Sequence, residues 1–219
     1  MVRRILNFIS KEISGLHEAA YLLALFAFFS QVLALVRDRL LAHVFGASHT
    51  LDVYYAAFRI PDLIFVSIAS MVSISVLLPF LIEKIEKAGE GKGREFVDQV
   101  FSVFFLAIIA VSVIVYLLVP TLVPVALPGF ANDALKPELI TLTRILLLSP
   151  ILLGFSNFLA SITQMYNRFF LYAISPLLYN IGIIVGVVCL YPLMGIQGLA
   201  WGVVIGAFLH LFIQVPFII

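Results

Sequence analysis

Long apolar runs separated by short polar segments dominate the chain. A helix needs about 20 mostly apolar residues to cross a bilayer, and six stretches reach that length. They are residues 17–45, 51–82, 97–119, 138–165, 169–191 and 196–218. The pattern predicts an all-α, polytopic membrane protein, in which a bundle of six transmembrane helices (17–219) follows an N-terminal segment at 1–16.

Prolines and polar residues mark the predicted boundaries. The strongly polar segment 83–95 is expected to be a loop, and Pro120 and Pro124 are expected to break the connection after the third span. Pro61 and Pro150 lie inside spans, where each removes a backbone N–H. We expect them to mark bends that matter for conformational change. The alternative is that the bundle simply tolerates them.

Glycines recur at every fourth residue in the last two spans. The spacing joins Gly182 to Gly186, and Gly198 to Gly202 and Gly206. Small residues at this spacing let helix backbones approach closely. We therefore expect the fifth and sixth spans to pack tightly, against each other or against the first two.

Composition supports a membrane protein, and charge predicts its orientation. Hydrophobic residues make up 63% of the chain and charged residues 11%, whereas soluble domains carry about 25% charged residues. The side of the membrane that is richer in basic loops faces the cytoplasm. The basic residues on that side are Arg3, Arg4, Lys11, Lys84, Lys87, Lys92, Arg94 and Arg168, against Lys136 on the other. Both termini are therefore predicted to be cytoplasmic.

Ionised side chains interrupt the first two spans. They are Arg37, Asp38, Arg39, Asp52, Arg59 and Asp62. A charge at membrane depth costs about 2.5–3.5 kcal/mol on insertion scales, so such residues usually face a bundle interior or a wet cavity. A functional role is the first interpretation to test for this charged hairpin.

Polar stripes on these two spans end on the same side of the predicted bundle. Helical periodicity aligns Asp52, Tyr55, Arg59 and Asp62 on the second span, and Gln31 with Asp38 on the first. Guanidinium groups match phosphate with two-point hydrogen bonds. We predict a wet cavity that binds an anionic, phosphate-bearing substrate. The alternative is that the arginines only reach the outer interface or pair with neighbouring aspartates.

A second polar stripe lies on the fourth span. It contains Asn157, Ser161, Gln164 and Arg168, while Asn180 stands alone on the fifth span. Hydrogen bonding between helices is the default explanation. Lining of the substrate cavity is the alternative for Asn157 and Asn180.

Motifs of covalent chemistry are missing from the sequence. It has no phosphate-binding loop of the Walker type, no nucleophile elbow and no HExxH zinc motif. The histidines lack metal-ligand spacing. We therefore predict no enzyme activity, with no catalytic residue, metal, cofactor or nucleic-acid partner. Two alternative functions stay open. One is a membrane enzyme that acts on polyprenyl phosphates, and the other is a structural subunit without transport activity.

Residues 36–63 (VRDRLLAHVFGASHTLDVYYAAFRIPDL) resemble the N-terminal signature of the MurJ/MviN family. These are lipid II flippases of the multidrug/oligosaccharidyl-lipid/polysaccharide exporter superfamily. Further matches are LPGF at 127–130, Thr143-Arg144 with Pro150, and Asn180 after Ser175-Pro176. The resemblance implies transport of the undecaprenyl-pyrophosphate-linked peptidoglycan precursor across the bacterial cytoplasmic membrane by alternating access.

The resemblance also implies which residues contact the substrate. The matching positions are Arg37, Asp38, Asp52 and Arg59, with Gln31, Tyr55, Asp62, Asn157 and Asn180 as further candidates for the cavity lining. Gln31, Phe65 and Val66 stand where the family pattern has arginines, so a less cationic cavity is expected.

Family proteins have two six-helix lobes, and the resemblance implies that this chain is one of them, as a fragment or a split gene product. Alternating access needs a second lobe to rock against. We therefore expect no transport by this chain alone. A polysaccharide-lipid or drug exporter of the same superfamily is the alternative function.

Overall fold

The structure is a computed structural model that describes residues 15–69, 74–132, 134–165 and 167–215. Within these ranges the chain is helical, with no strand, which confirms the all-α class. The helices are α1 (Leu16–Phe45), α2 (His49–Ala57), α3 (Arg59–Ala69), α4 (Ile74–Ala88), α5 (Glu90–Ala126), α6 (Lys136–Leu146), α7 (Leu148–Met165), α8 (Phe169–Val185), α9 (Tyr191–Met194) and α10 (Ile196–Phe212). A 3₁₀ turn covers Pro128–Phe130, and a π-helical turn at Gly186–Leu190 joins α8 to α9.

The helix count differs from the predicted six. When the segments separated only by Phe58, by Leu147 or by the π turn are joined, and the breaks at the positive-φ residues Gly89 and Gly195 are kept, seven helices remain in the described ranges. The extra helix comes from the second predicted span, which is divided among α2, α3 and α4. Residues 70–73, between α3 and α4, lie outside the described part of the chain.

Four of the described helices are long and apolar enough to cross a membrane. They are His17–Phe45, Gly91–Ala126, Lys136–Gln164 and Phe169–Met194. α10 is a shorter apolar helix, and the end of the sixth predicted span at 216–218 lies outside the described residues. The combined α2–α3 segment is less apolar, because it carries Asp52, Arg59 and Asp62.

Two helix interruptions each lie three residues before a proline. Phe58 separates α2 from α3, and Leu147 separates α6 from α7. Pro61 and Pro150 have no N–H for the carbonyl four residues earlier, which removes one hydrogen bond from each helix. The helices are thus interrupted near both prolines, while the bends predicted there and their part in conformational change stay predictions.

The polar segment 83–95 is not the predicted loop. It forms the end of α4 and the start of α5, and the helix breaks only at Gly89, which has a φ of 82°. Glutamate and lysine are good helix formers, and opposite charges spaced four apart support a helix. Lys87 Nζ lies 2.7 Å from Glu83 Oε1. Charge alone was therefore a poor indicator of a loop here.

α5 continues beyond its predicted end at residue 119. It includes Pro120 and Pro124 and ends at Ala126. The predicted break is wrong, since packing within a bundle can re-satisfy the carbonyls that a proline leaves free. The 3₁₀ turn follows directly after this end.

The glycine rows bring α8 and α10 into direct backbone contact. A Cβ built on Gly186 would lie 2.7 Å from Cα of Gly202, and one on Gly182 would overlap the backbone of Gly206. The predicted tight packing is confirmed, with each helix as the other's neighbour. α8 also packs along α1, which places α8 beside the first helix of the charged hairpin.

Two apolar clusters fill the interior. The larger one joins α1, α2 and α3 to α6 and α10 through buried residues that include Leu41, Tyr54 and Leu199. The smaller one centres on Phe104, Ile108 and Phe158 of α5 and α7. Leu41, Tyr54 and Ile183 of the larger cluster lie next to charged residues of α1–α3.

Candidate binding cavity

A cavity of about 260 Å³ lies where α1, α2, α3 and α8 meet. Five predicted site residues line it: Arg37, Asp38, Tyr55, Arg59 and Asp62. Leu41, Tyr54, Phe58, Tyr179 and Ile183 complete the lining. The cavity therefore combines ionised groups from the first two predicted spans with aromatic walls.

Arg37 is held on two sides. Its Nη1 donates to Oδ1 of Asn180 at 2.8 Å, and its Nε donates to Oδ1 of Asp38 at 2.9 Å. Nη2 lies 2.8 Å from the same Asp38 oxygen. The side chain is 24% exposed. Since its partner Asn180 belongs to α8, Arg37 points into the bundle and does not extend to the outer interface.

Asn180 is itself fixed by neighbouring groups. Its Nδ2 donates to Oγ of Ser30 at 3.3 Å and to the carbonyl of Pro176 at 3.1 Å. The amide thereby links α1 to α8, in addition to orienting Arg37. This is the interhelical hydrogen bonding expected by default, and it places Asn180 directly behind the cavity.

The charges of the lining cancel. Two arginines, Arg37 and Arg59, face two aspartates, Asp38 and Asp62, so the formal sum is zero. A guanidinium has five N–H donors, and the contacts of Arg37 engage three of them. Two remain for a ligand. Binding of an anion here would rest on directed N–H groups rather than on an excess of positive charge.

A larger cavity of about 780 Å³ adjoins the first and shares Arg59 and Asp62 with it. Its other walls are mostly apolar, from α3, the end of α5 and the 3₁₀ turn. They include Leu63, Val66 and Phe130. The two cavities together offer a polar end beside an apolar groove.

Comparison with known proteins decides the family. A family model described as "Lipid II flippase MurJ" matches residues 41–219, which is most of the chain and includes the cavity residues of α2, α3 and α8. The chain belongs to the lipid II flippase MurJ family. The resemblance carried by residues 36–63 is thereby confirmed.

Individual MurJ proteins agree with this assignment. Lipid II flippase MurJ of Burkholderia cenocepacia is 29% identical over 194 residues, which are 87% of this chain and 38% of the relative. Probable lipid II flippase MurJ of Buchnera aphidicola subsp. Schizaphis graminum is 30% identical over 190 residues, or 85% of this chain and 37% of the relative. The chain thus spans a little over a third of the length of these relatives.

A solved structure has the same fold. "Lipid II flippase MurJ, inward closed conformation" matches with a TM-score of 0.74 and 30% identity, over 90% of this chain and 41% of that one. The match supports a polytopic helical bundle of the MurJ type. It also shows that the bundle described here corresponds to part of a larger helical protein.

Besides Asn180, which contacts Arg37 from outside the lining, three residues predicted for the MurJ site lie outside the cavity lining. Asp52 is in the first turn of α2, its side chain is 72% exposed, and its Oδ2 lies 4.0 Å from His49 Nδ1. Gln31 is exposed on α1. Asn157 is half-buried on α7, where its carbonyl accepts a hydrogen bond from Ser161. Their roles in binding stay predictions.

Two of the three lining tyrosines, Tyr54 and Tyr179, were not predicted. Tyr54 is 2% exposed and Tyr179 lies beside Asn180 in α8, and both contribute to the wall. No spacing in the sequence singles them out. Ser30 did carry a signal, because it lies seven residues before Arg37 and therefore on the same face of α1.

Proposed function

We propose that this chain is the N-terminal lobe of a lipid II flippase and that its cavity engages the pyrophosphate of an undecaprenyl-pyrophosphate-linked precursor. The observation that carries the proposal is Arg37, which lines the cavity and is oriented by Asn180 and Asp38 through contacts that engage three of its five N–H donors. Charge-assisted hydrogen bonds from arginine suit a phosphate group. Family membership supplies the substrate class.

Cavity size supports binding of a headgroup portion. Pockets for drug-sized ligands measure about 300–1,000 Å³, and this one measures about 260 Å³. A lipid-linked disaccharide-peptide would exceed it many times over. We infer that the described lobe surrounds only the pyrophosphate, and that a second six-helix lobe encloses the rest during alternating access.

The proposed location is the bacterial cytoplasmic membrane, with both termini in the cytoplasm. Spans of suitable length and the family support a multi-pass membrane protein, while the orientation rests on the distribution of lysine and arginine. Reporter fusions after Asn132 and after Ile219 test the orientation. A reporter that works only outside the cytoplasm should be active when fused after Asn132 and inactive after Ile219. A reporter that works only inside the cytoplasm should give the opposite result.

A chimera tests the function. This chain replaces the matching part of the Burkholderia cenocepacia relative, and the product is expressed in cells depleted of their own flippase. The unaltered chimera and its Arg39→Ala variant should restore growth, because Arg39 is exposed and lies outside the lining. Arg37→Ala should fail at equal membrane abundance. Growth with Arg37→Ala would contradict the proposed role, and failure of the unaltered chimera would count against an interchangeable lobe.

A further inference from the structure

A third, much smaller cavity lies between the two helices that proline interrupts. It measures about 30 Å³, and residues on both sides of the interruptions line it. Phe58 comes from the interruption between α2 and α3, Pro61 and Asp62 from the start of α3, and Leu146, Ser149 and Pro150 from the junction of α6 and α7. A cavity needs roughly 10–15 Å³ of probe volume to hold a water, so this one has room for at least one water-sized particle.

Ser149 contributes a buried hydroxyl that has no partner. The residue is 6% exposed, and its Oγ makes no hydrogen bond within the described chain. Buried polar groups are nearly always satisfied, so an orphan of this kind asks for an explanation such as a bound water or ion. Its place in the cavity wall shows where that particle would sit.

The other oxygen atoms of the site favour a cation. Pro150 has no N–H, so the carbonyl of Leu146 lacks the donor that a regular helix would provide. Asp62 adds a carboxylate and Tyr179 a phenol group. Hard cations take carboxylate, hydroxyl and carbonyl oxygens, and carbonyls freed at broken membrane helices hold Na⁺ or protons in transporters. Arg59 lines the two larger cavities rather than this one.

We propose that this cavity binds one small monovalent cation of the size of Na⁺, held by Asp62, Ser149 and the Leu146 carbonyl. A water molecule could satisfy Ser149, but it would bring no positive charge to the Asp62 carboxylate, whose cationic neighbour Arg59 lies on the side of the larger cavities. K⁺ is about as large as a water molecule and would also fit by volume, but a carboxylate oxygen holds the smaller Na⁺ more strongly, because the same charge is concentrated on a smaller ion. Because Asp62 lines all three cavities, an ion bound here would contact a residue that also lines the proposed headgroup site.

The test measures binding of ²²Na⁺ to the purified full chain in detergent, together with its melting temperature in NaCl, KCl and choline chloride at equal ionic strength. We expect saturable binding of one ion per chain and a higher melting temperature in NaCl than in either other salt. Neither measurement requires a lipid substrate or a second lobe, so the result is independent of the proposed flippase function.

Two variants and a matched control locate the ion. Ser149→Ala should weaken ²²Na⁺ binding at least tenfold and remove the NaCl-specific rise, and Asp62→Asn should abolish both. Ser112→Ala is the control, because Ser112 also carries a buried hydroxyl without a partner in the described chain, outside this cavity. It should leave Na⁺ binding unchanged. Absence of saturable binding, equal melting in NaCl and KCl, or equal binding by the Ser149 and Ser112 variants would overturn the proposal.

Discussion

Replacement of Asn180 by alanine separates the orientation of Arg37 from its charge. The variant keeps the guanidinium but removes the acceptor that lies 2.8 Å from Nη1. It also removes the donor to Ser30. Arg37 would then be held only by one oxygen of Asp38, and it could turn away from the cavity. We expect the purified chimera to bind undecaprenyl pyrophosphate more weakly while retaining all of its charges.

The expected size follows from the bonds that are lost. A hydrogen bond to a charged group contributes about 1.5–3 kcal/mol, whereas an interhelical bond such as that to Ser30 contributes about 0.6 kcal/mol. If the hydrogen bond from Arg37 to Asn180 keeps two N–H groups directed at the ligand, the affinity of Asn180→Ala for undecaprenyl pyrophosphate should fall roughly tenfold to a hundredfold. Ser30→Ala, which loses only the bond between Ser30 and Asn180, should weaken binding about threefold or less.

Two further variants make the test specific. Asn180→Asp restores an acceptor for Arg37 but adds a negative charge beside the ligand, so it should melt at or above the wild-type temperature and still bind poorly. Asn132→Ala, at an exposed turn position, serves as the control and should bind normally. Wild-type affinity in Asn180→Ala would refute the idea that this amide orients the arginine.

The remaining predictions concern packing and the chemistry of the guanidinium. Gly186→Ala should destabilise the bundle by about 1–3 kcal/mol, since its Cβ would lie 2.7 Å from a backbone atom of Gly202, whereas Gly91→Ala meets no atom within 4 Å and should not lower the melting temperature. Phe158→Ala, which empties a site only 2% exposed, should cost about 3–5 kcal/mol; Phe80→Ala, at a side chain 55% exposed, should cost far less in the same thermal melts. Arg37→Lys should keep the charge but lose two-point binding, so titration should show affinity between those of wild type and Arg37→Ala, and full wild-type affinity would contradict a two-point contact.

The sequence predicted the helices best where periodicity and breakers agree. The first span was expected at 17–45, and α1 ends at Phe45 because Gly46 adopts a φ of 58°. The glycine spacing likewise predicted the contact between α8 and α10. Both features depend on local backbone requirements, which a single sequence shows directly.

Predictions failed where charge or proline was taken as a breaker. Segment 83–95 is helical because its lysines and glutamates pair along the helix surface, and α5 passes through Pro120 and Pro124. The division of the second predicted span was also missed. Local composition does not show whether neighbouring helices will support an irregular segment.

The site was predictable in part. Helical periodicity correctly predicted that Tyr55, Arg59 and Asp62 share one wall. It does not show how far along the axis the neighbouring helix reaches, and Asp52, which was predicted on the same stripe, is exposed at the start of α2. Tertiary hydrogen bonds carried no local signal. A buried network of Ser156, Ser175, His210 and Gln214 joins α7 and α8 to the end of α10, and it emerges only in three dimensions.

Ligand preference is the most direct test of the central claim that Arg37 presents N–H groups to a pyrophosphate. Affinities of the chimera for undecaprenyl pyrophosphate, undecaprenyl phosphate and undecaprenol are compared between wild type and Arg37→Ala. Wild type should prefer the pyrophosphate, and Arg37→Ala should lose that preference by at least tenfold with little change toward undecaprenol. The account would be contradicted if Arg37→Ala bound the three ligands in the same order, and with the same ratios of affinity, as wild type.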